Sequence, residues 1–110
     1  MYCTTISSDA IYCSGAVTLY PETGKIDDGD IKAHTHQCIK NLSHILEAAD
    51  SDIMKVLMVK VFLSDMDNFA EMNSIYIQYR GDVKPCRTCI CGCKTIPLNT
   101  NMEIEPLAAV

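Results

Sequence analysis

Residues 84–105, KPCRTCICGCKTIPLNTNMEIE, decide how the rest of the chain must fold. Extended backbone over 86–93 puts Arg87, Cys89, Cys91 and Cys93 on one face and Thr88, Ile90 and Gly92 on the other, because side chains alternate along a strand. A Pro/Asn/Thr turn follows, and a second extended run carries Glu103 and Glu105. An arginine projecting from a strand toward a small cysteine-lined space can hold a carboxylate, since its planar fork donates two parallel hydrogen bonds. From spacing alone the more ordinary reading is an arginine paired with a neighbouring acid. Cys86, Cys89, Cys91 and Cys93 form a C-x2-C-x-C-x-C pattern that raises the question of a metal. A strand aims three of them the same way at about 7 Å intervals instead of presenting paired ligands from two turns, so they read as small apolar fillers and no metal is expected.

With 110 residues the chain has room for a single domain, 1–110, around one core. Hydrophobic residues make up 48% of it, a surplus that self-association would cover. The net charge of −5 and the scatter of nine Lys and Arg argue against a phosphate-tracking surface, so nucleic acid is disfavoured as a partner. The apolar run 56–63 is broken by Lys60 and is too short to cross a bilayer. MYCTTISSDA lacks the basic start and apolar block of a signal peptide, and seven cysteines is an odd number. Both point to reduced thiols and a cytosolic protein.

Moving toward the N-terminus, 2–6 and 10–17 read as a hairpin turning at Ser7-Ser8-Asp9. Ser14-Gly15 ends it, where a missing side chain lets another backbone or a ligand approach. Residues 20–25 and 27–30 carry turn chemistry, the latter supplying an N-cap. From Asp30 to about Ala49 the apolar positions Ile31, Cys38, Ile39, Leu42, Ile45, Leu46 and Ala49 recur at helical spacing. His34, His36, Lys40 and His44 fall mostly on the other side, which reads as solvated. His34 and His36 stand about 200° apart on the wheel and cannot readily share a metal. Residues 53–63, IMKVLMVKVFL, lack clean alternation and read as a strand buried on both faces. Ser64–Asp67 stops it and caps a second helix, Asn68 to about Tyr79, with the stripe Phe69, Met72, Tyr76 and Tyr79 and with Asn73 at its edge. The order predicts an α+β fold: one mixed sheet with both helices on one face and an apolar opposite face left to be covered by copies of the chain.

Taken together, Ser14-Gly15, Pro21-Glu22-Thr23-Gly24, Asn41-Leu42 with Ile45–Ala49, Val61–Met66 with Phe69, Asn73 and Tyr76, Pro85–Cys89, and Met102–Glu105 resemble the Rid (YjgF, reactive-intermediate deaminase) family in order and spacing along nearly the whole chain. The resemblance implies a chorismate-mutase-like fold and a homotrimer with ligand clefts between subunits. It also implies hydrolysis of 2-imino or 2-enamino acids, such as 2-aminoacrylate, to 2-keto acids and ammonia, with no cofactor. On that pattern Arg87 grips the substrate carboxylate, Cys89 lines the cleft and Glu105 positions or activates water. Gly15 and Asn73 complete the cleft, and Tyr2 matches a family tyrosine if the preceding turn is one residue shorter.

Several positions depart from the pattern. One extra residue lies between Cys89 and Pro97, where a bulge is expected. Ala16-Val17-Thr18 replaces the family's Gln-Ile-Pro. Pro106 follows Glu105, which predicts an edge strand or an early end. The partner class implied is a small 2-imino or 2-keto acid, with no membrane. A carboxylate-binding or chaperone-like trimer without turnover is the competing expectation; a ribonuclease is disfavoured by the charge and by the lack of a His/Lys pair near Arg87.

Overall fold

The computed structural model describes residues 4–20, 22–26, 29–79, 84–91, 96 and 100–110. The first hairpin pairs β1 (Thr4–Ser7) with β2 (Ala10–Cys13) through a two-residue turn in which Ser8 takes a positive φ of 54°. A small ribbon, β3 (Leu19–Tyr20) with β4 (Lys25–Ile26), forms where the sequence reads as turn alone. Helix α1 runs over Ile31–Ala48, and the Asp30 side chain accepts from the Ala33 N–H at its start. Its end is a Schellman turn, with Ser51 N–H donating to Leu46 O and Asp50 N–H to Glu47 O. Asp50, at φ 60°, occupies the left-handed position that glycine usually fills.

A short 3-10 turn at Ile53–Lys55 leads into β5 (Val56–Leu63). Helix α2 (Phe69–Tyr76), continued by a 3-10 turn at Ile77–Tyr79, crosses to β6 (Cys86–Cys91), which is parallel to β5. The last strand, β7 (Met102–Ala109), inserts antiparallel between β5 and β2, giving the order β1-β2-β7-β5-β6. Both helices pack on one face of this mixed sheet, as expected. Leu42, Leu46, Cys38, Met72 and Tyr76 close over Ile11, Val59, Val61, Leu63, Met102 and Ile104.

Three readings of the sequence need correction. Residues 53–63 are not a strand buried on both faces: the strand starts at Val56, and Val59, Val61 and Leu63 are buried while Met58 and Lys60 are exposed. The register slips between Val56 and Met58, and that irregularity hid a regular alternation from Met58 onward. The uncovered face was foreseen, and it carries Tyr12, Met58 and Ile90 at 39–53% exposure.

Second, Pro106 neither ends β7 nor marks an edge, since the strand is central and runs on to Ala109. Ile104 N–H donates to Ala16 O, so by alternation the Pro106 nitrogen also points toward the β2 side. There the ladder stops at Tyr12↔Leu107 and resumes at Ala16↔Ile104, with one residue more on the first strand than on the second. The missing donor therefore faces a gap in the pairing and costs no ladder bond.

Third, His34 is not on a solvated face. It is 9% exposed, with Nδ1 bonded at 2.6 Å to Asn101 Oδ1.

Candidate functional site

Strand β6 places Arg87, Cys89 and Cys91 on the helix side, half-buried, and turns Cys86, Thr88 and Ile90 outward. Cys86 therefore cannot join Cys89 and Cys91 at one metal, and Cys93 and the foreseen bulge lie outside the described residues. The Arg87 guanidinium donates to Asn73 Oδ1 at 2.6 Å and stacks over the Tyr76 ring, 4.7 Å from its centroid, with Phe69 at 5.6 Å. The aromatic stripe and Asn73 of α2 thus form the cradle. Among the described residues no carboxylate pairs with Arg87, which settles the ordinary ion-pair reading against the neighbouring acids described here. Neutral dipoles and ring faces fix the guanidinium, and no carboxylate among the described residues compensates its charge, the state that recognition of an organic acid requires. Beside it, burial raises the Cys89 thiol pKa, an effect that Arg87 opposes and Cys91 reinforces. The thiol is therefore held protonated, which suits a small neutral lining group and not a thiolate nucleophile.

The other candidate residues gather elsewhere. Val59 lies opposite both Arg87 and Pro106, whereas Lys60 lies opposite both Thr88 and Glu105. Directly opposed residues share a face, so Glu105 projects from the side of the sheet away from Arg87. There it lines a shallow cleft of about 350 Å³ with Tyr12, Ser14 and Gly15. Glu103 shares that side. A β-carbon placed on Gly15 would lie 2.6 Å from Glu103 Cγ and nearer still to its carboxyl, so the missing side chain at Gly15 is what lets this carboxylate fold across it. One chain therefore brings Arg87, Asn73 and Cys89 together on one face and Gly15, Glu103 and Glu105 on the other, and does not join the two groups. Tyr2 lies outside the described residues.

Glu103 is the residue whose importance the sequence reading missed, although its parity with Glu105 was visible. Burial, and then the Glu105 charge, raise its carboxyl pKa above the ordinary value. A group whose folded-state pKa is raised stabilises the fold at pH below its unfolded pKa, and that contribution is lost as pH rises through the folded pKa. Glu103→Gln should therefore stabilise the protein at pH 7, and the advantage over wild type should shrink on acidification to pH 4. Urea melts of both proteins at the two pH values check this, and an advantage that grows with acid would reverse the assignment.

Helix α1 holds the backbone on either side of this glutamate through a polar row. Asn41, 3% exposed, donates to Val17 O at 3.1 Å and Leu19 O at 2.7 Å and accepts from Gln37 Nε2 at 2.8 Å. The Cys38 thiol, with its pKa raised by burial and then by Glu103, donates to Ala16 O, and Thr35 Oγ1 reaches Met102 Sδ. His34 holds Asn101, whose carbonyl accepts the Ser64 N–H. An asparagine beside a leucine on an apolar stripe signals a core hydrogen-bonder, and Asn41 had that signal. Asn41→Ala would take a donor from one buried and one half-buried carbonyl and should cost about 2–4 kcal/mol. Thermal and urea unfolding measure this, and a loss under about 0.5 kcal/mol would mean that water replaces the amide.

Comparison with known proteins fits this geometry. The family model described as Endoribonuclease L-PSP matches residues 2–110. The mitochondrial protein mmf1 of Schizosaccharomyces pombe is 39% identical over 105 residues, covering 93% of this chain and 63% of its own length. Reactive Intermediate Deaminase A of Arabidopsis thaliana, a chloroplast protein, is 32% identical over 104 residues, covering 94% of this chain and 55% of its own. The chain thus spans under two thirds of either relative. The crystal structure of yeast Mmf1 superposes with a TM-score of 0.92 at 33% identity, over 96% of this chain and 83% of the other. A match along essentially the whole chain, in sequence and in fold, makes this protein a member of the Rid family, the one described as Endoribonuclease L-PSP.

Proposed function

We propose that the protein hydrolyses 2-imino acids, and the enamines that tautomerise to them, to 2-keto acids and ammonia. The observation that carries the reading is Arg87: a half-buried guanidinium held by Asn73 and two aromatic rings, with no carboxylate partner among the described residues. An imine carbon is already electrophilic, so the protein has to fix the carboxylate and deliver water with its proton. In this proposal Arg87 clasps the carboxylate and the protonated Cys89 lines the cleft as a small neutral group. Glu105 positions the attacking water, and Glu103, with its raised pKa, is suited to passing the proton to the departing nitrogen. Water adds to the C=N carbon, the nitrogen takes a proton, and the carbinolamine collapses to ketone and ammonia.

The two halves of this machinery lie on opposite faces of one sheet, so a complete site takes Arg87, Asn73 and Cys89 from one subunit and the Gly15–Glu103–Glu105 group from another. A homotrimer that buries the uncovered apolar face supplies that arrangement. Tyr2 keeps its place in the cleft on the family pattern alone. A reducing compartment such as the cytosol suits the free thiols of Cys13, Cys38, Cys86, Cys89 and Cys91.

The test generates an enamine with a serine or threonine dehydratase and follows loss of the imine with and without this protein. Wild type should accelerate it. Glu105→Gln and Glu103→Gln should each lower kcat about 10²-fold, the range expected for one general acid or base. A wild type no faster than buffer that still binds a 2-keto acid would establish a binding protein without turnover.

A further inference from the structure

A groove among the described residues lies well away from Arg87, and the reaction above makes no use of it. It runs along the outward side of α1, encloses about 560 Å³ and is walled by Tyr20 from β3 and by Ile53 and Tyr79. That volume is within the range of about 300–1,000 Å³ typical of small-molecule sites. Along its floor His36, Lys40 and His44 recur every fourth residue, so each stands about 6 Å above the last on one side of the helix. In a chain of net charge −5 this is a local concentration of nitrogen donors.

The groove is also built to a fixed shape. His36 Nδ1 is hydrogen-bonded to the Tyr79 hydroxyl, and the two rings meet edge-on with centroids 5.6 Å apart. Its other ring nitrogen has no partner among the described residues. Lys40 likewise has no carboxylate partner among them, while the single acid of the floor, Glu47, already accepts from Ser43 Oγ. On the opposite wall, Asn41 pins Leu19 O to α1, which fixes the position of the neighbouring Tyr20, 38% exposed. Donors along the floor, with the Tyr20 ring on one wall, suit a ligand with an anionic end and a planar ring.

We propose that this groove is a second binding site, separate from the Arg87 cleft, for a small organic phosphate bearing an aromatic ring. Three acceptor oxygens on one phosphorus can be shared between Lys40 and the flanking imidazoles, which a single carboxylate cannot do over the same span. The ring then lies against Tyr20.

Adenosine monophosphate is the probe, with inorganic phosphate and adenosine as separate arms, followed by calorimetry at low salt and by NMR of the histidine side chains. The nucleotide should bind with a Kd below about 1 mM, with each fragment at least about tenfold weaker. The His36 and His44 ring signals should move. Lys40→Ala should weaken the nucleotide at least tenfold and leave imine turnover unchanged, whereas Arg87→Ala should leave nucleotide binding intact. The proposal is overturned if the nucleotide binds no better than its fragments, if Lys40→Ala has no effect, or if Arg87→Ala abolishes binding, which would place the nucleotide in the other cleft. These readings hold whether or not the protein turns over imines.

Discussion

Arg87→Ala should abolish imine hydrolysis at ordinary substrate concentrations, lowering kcat/KM by about 10²–10³-fold, because a clasped carboxylate in a half-buried cleft is worth about 3–4 kcal/mol. The loss should appear mainly in KM if the arginine only binds, and in kcat as well if it also aims the imine carbon at water. The fold should survive, since Arg87 is held by a neutral amide and by ring faces and no partner charge among the described residues is stranded. Arg87→Lys should restore only part of the activity, because an ammonium keeps the charge but loses the planar two-pronged grip and the stacking on Tyr76. Coupled-assay kinetics on the three proteins, with their unfolding midpoints, separate the outcomes. An unchanged kcat/KM for Arg87→Ala would remove the basis of the proposed reaction.

Gly15→Ala is the second substitution expected to act strongly, and it should do so without unfolding the protein. The added methyl overlaps the Glu103 side chain, which is the flexible end of a glutamate and not backbone, so the fold can yield by swinging that carboxylate away. The φ of Gly15 lies outside the left-handed region, so alanine brings no backbone penalty there. The expected result is a stability change within about 1 kcal/mol and a fall in kcat of about 10²-fold or more, the penalty for a displaced acid–base group. If activity persists while stability drops, the glycine serves packing and Glu103 has no part in the chemistry. The contrast with Glu103→Gln at pH 7 is informative: that change should raise stability while lowering activity, the signature of a carboxylate kept in place for function.

Much of this arrangement is legible in the sequence because it depends on short-range periodicity. Asp30 capping an apolar stripe to Leu46, and the phase of Arg87, Cys89 and Cys91 along one strand, are properties of consecutive residues, and both are found in the structure. What escapes is decided by partners distant in the chain. Pro106 looks like a strand terminator until its nitrogen is seen to face the unpaired residues after Tyr12. His34 looks solvated on a helical wheel, and only the return of the chain at Asn101 buries it. The alternation of β5 is masked by a slip at Leu57, which requires knowledge of how β7 lies alongside. In the same way Glu103 and Glu105 are equivalent by parity, and only the close approach of Gly15 distinguishes them.

The pairing gap opposite Pro106 also bears on how the molecule comes apart. Between Leu107 and Ile104 the hairpin formed by β1 and β2 is not stitched to the sheet, whereas β5 and β7 are joined along almost their full length. Fluctuations that lift the hairpin can begin at that seam and stop there, giving amides of residues 4–13 faster deuterium uptake than those of 59–63. The flap carries Tyr12 and ends beside Gly15, so the most readily opened part of the sheet is also a wall of the glutamate cleft.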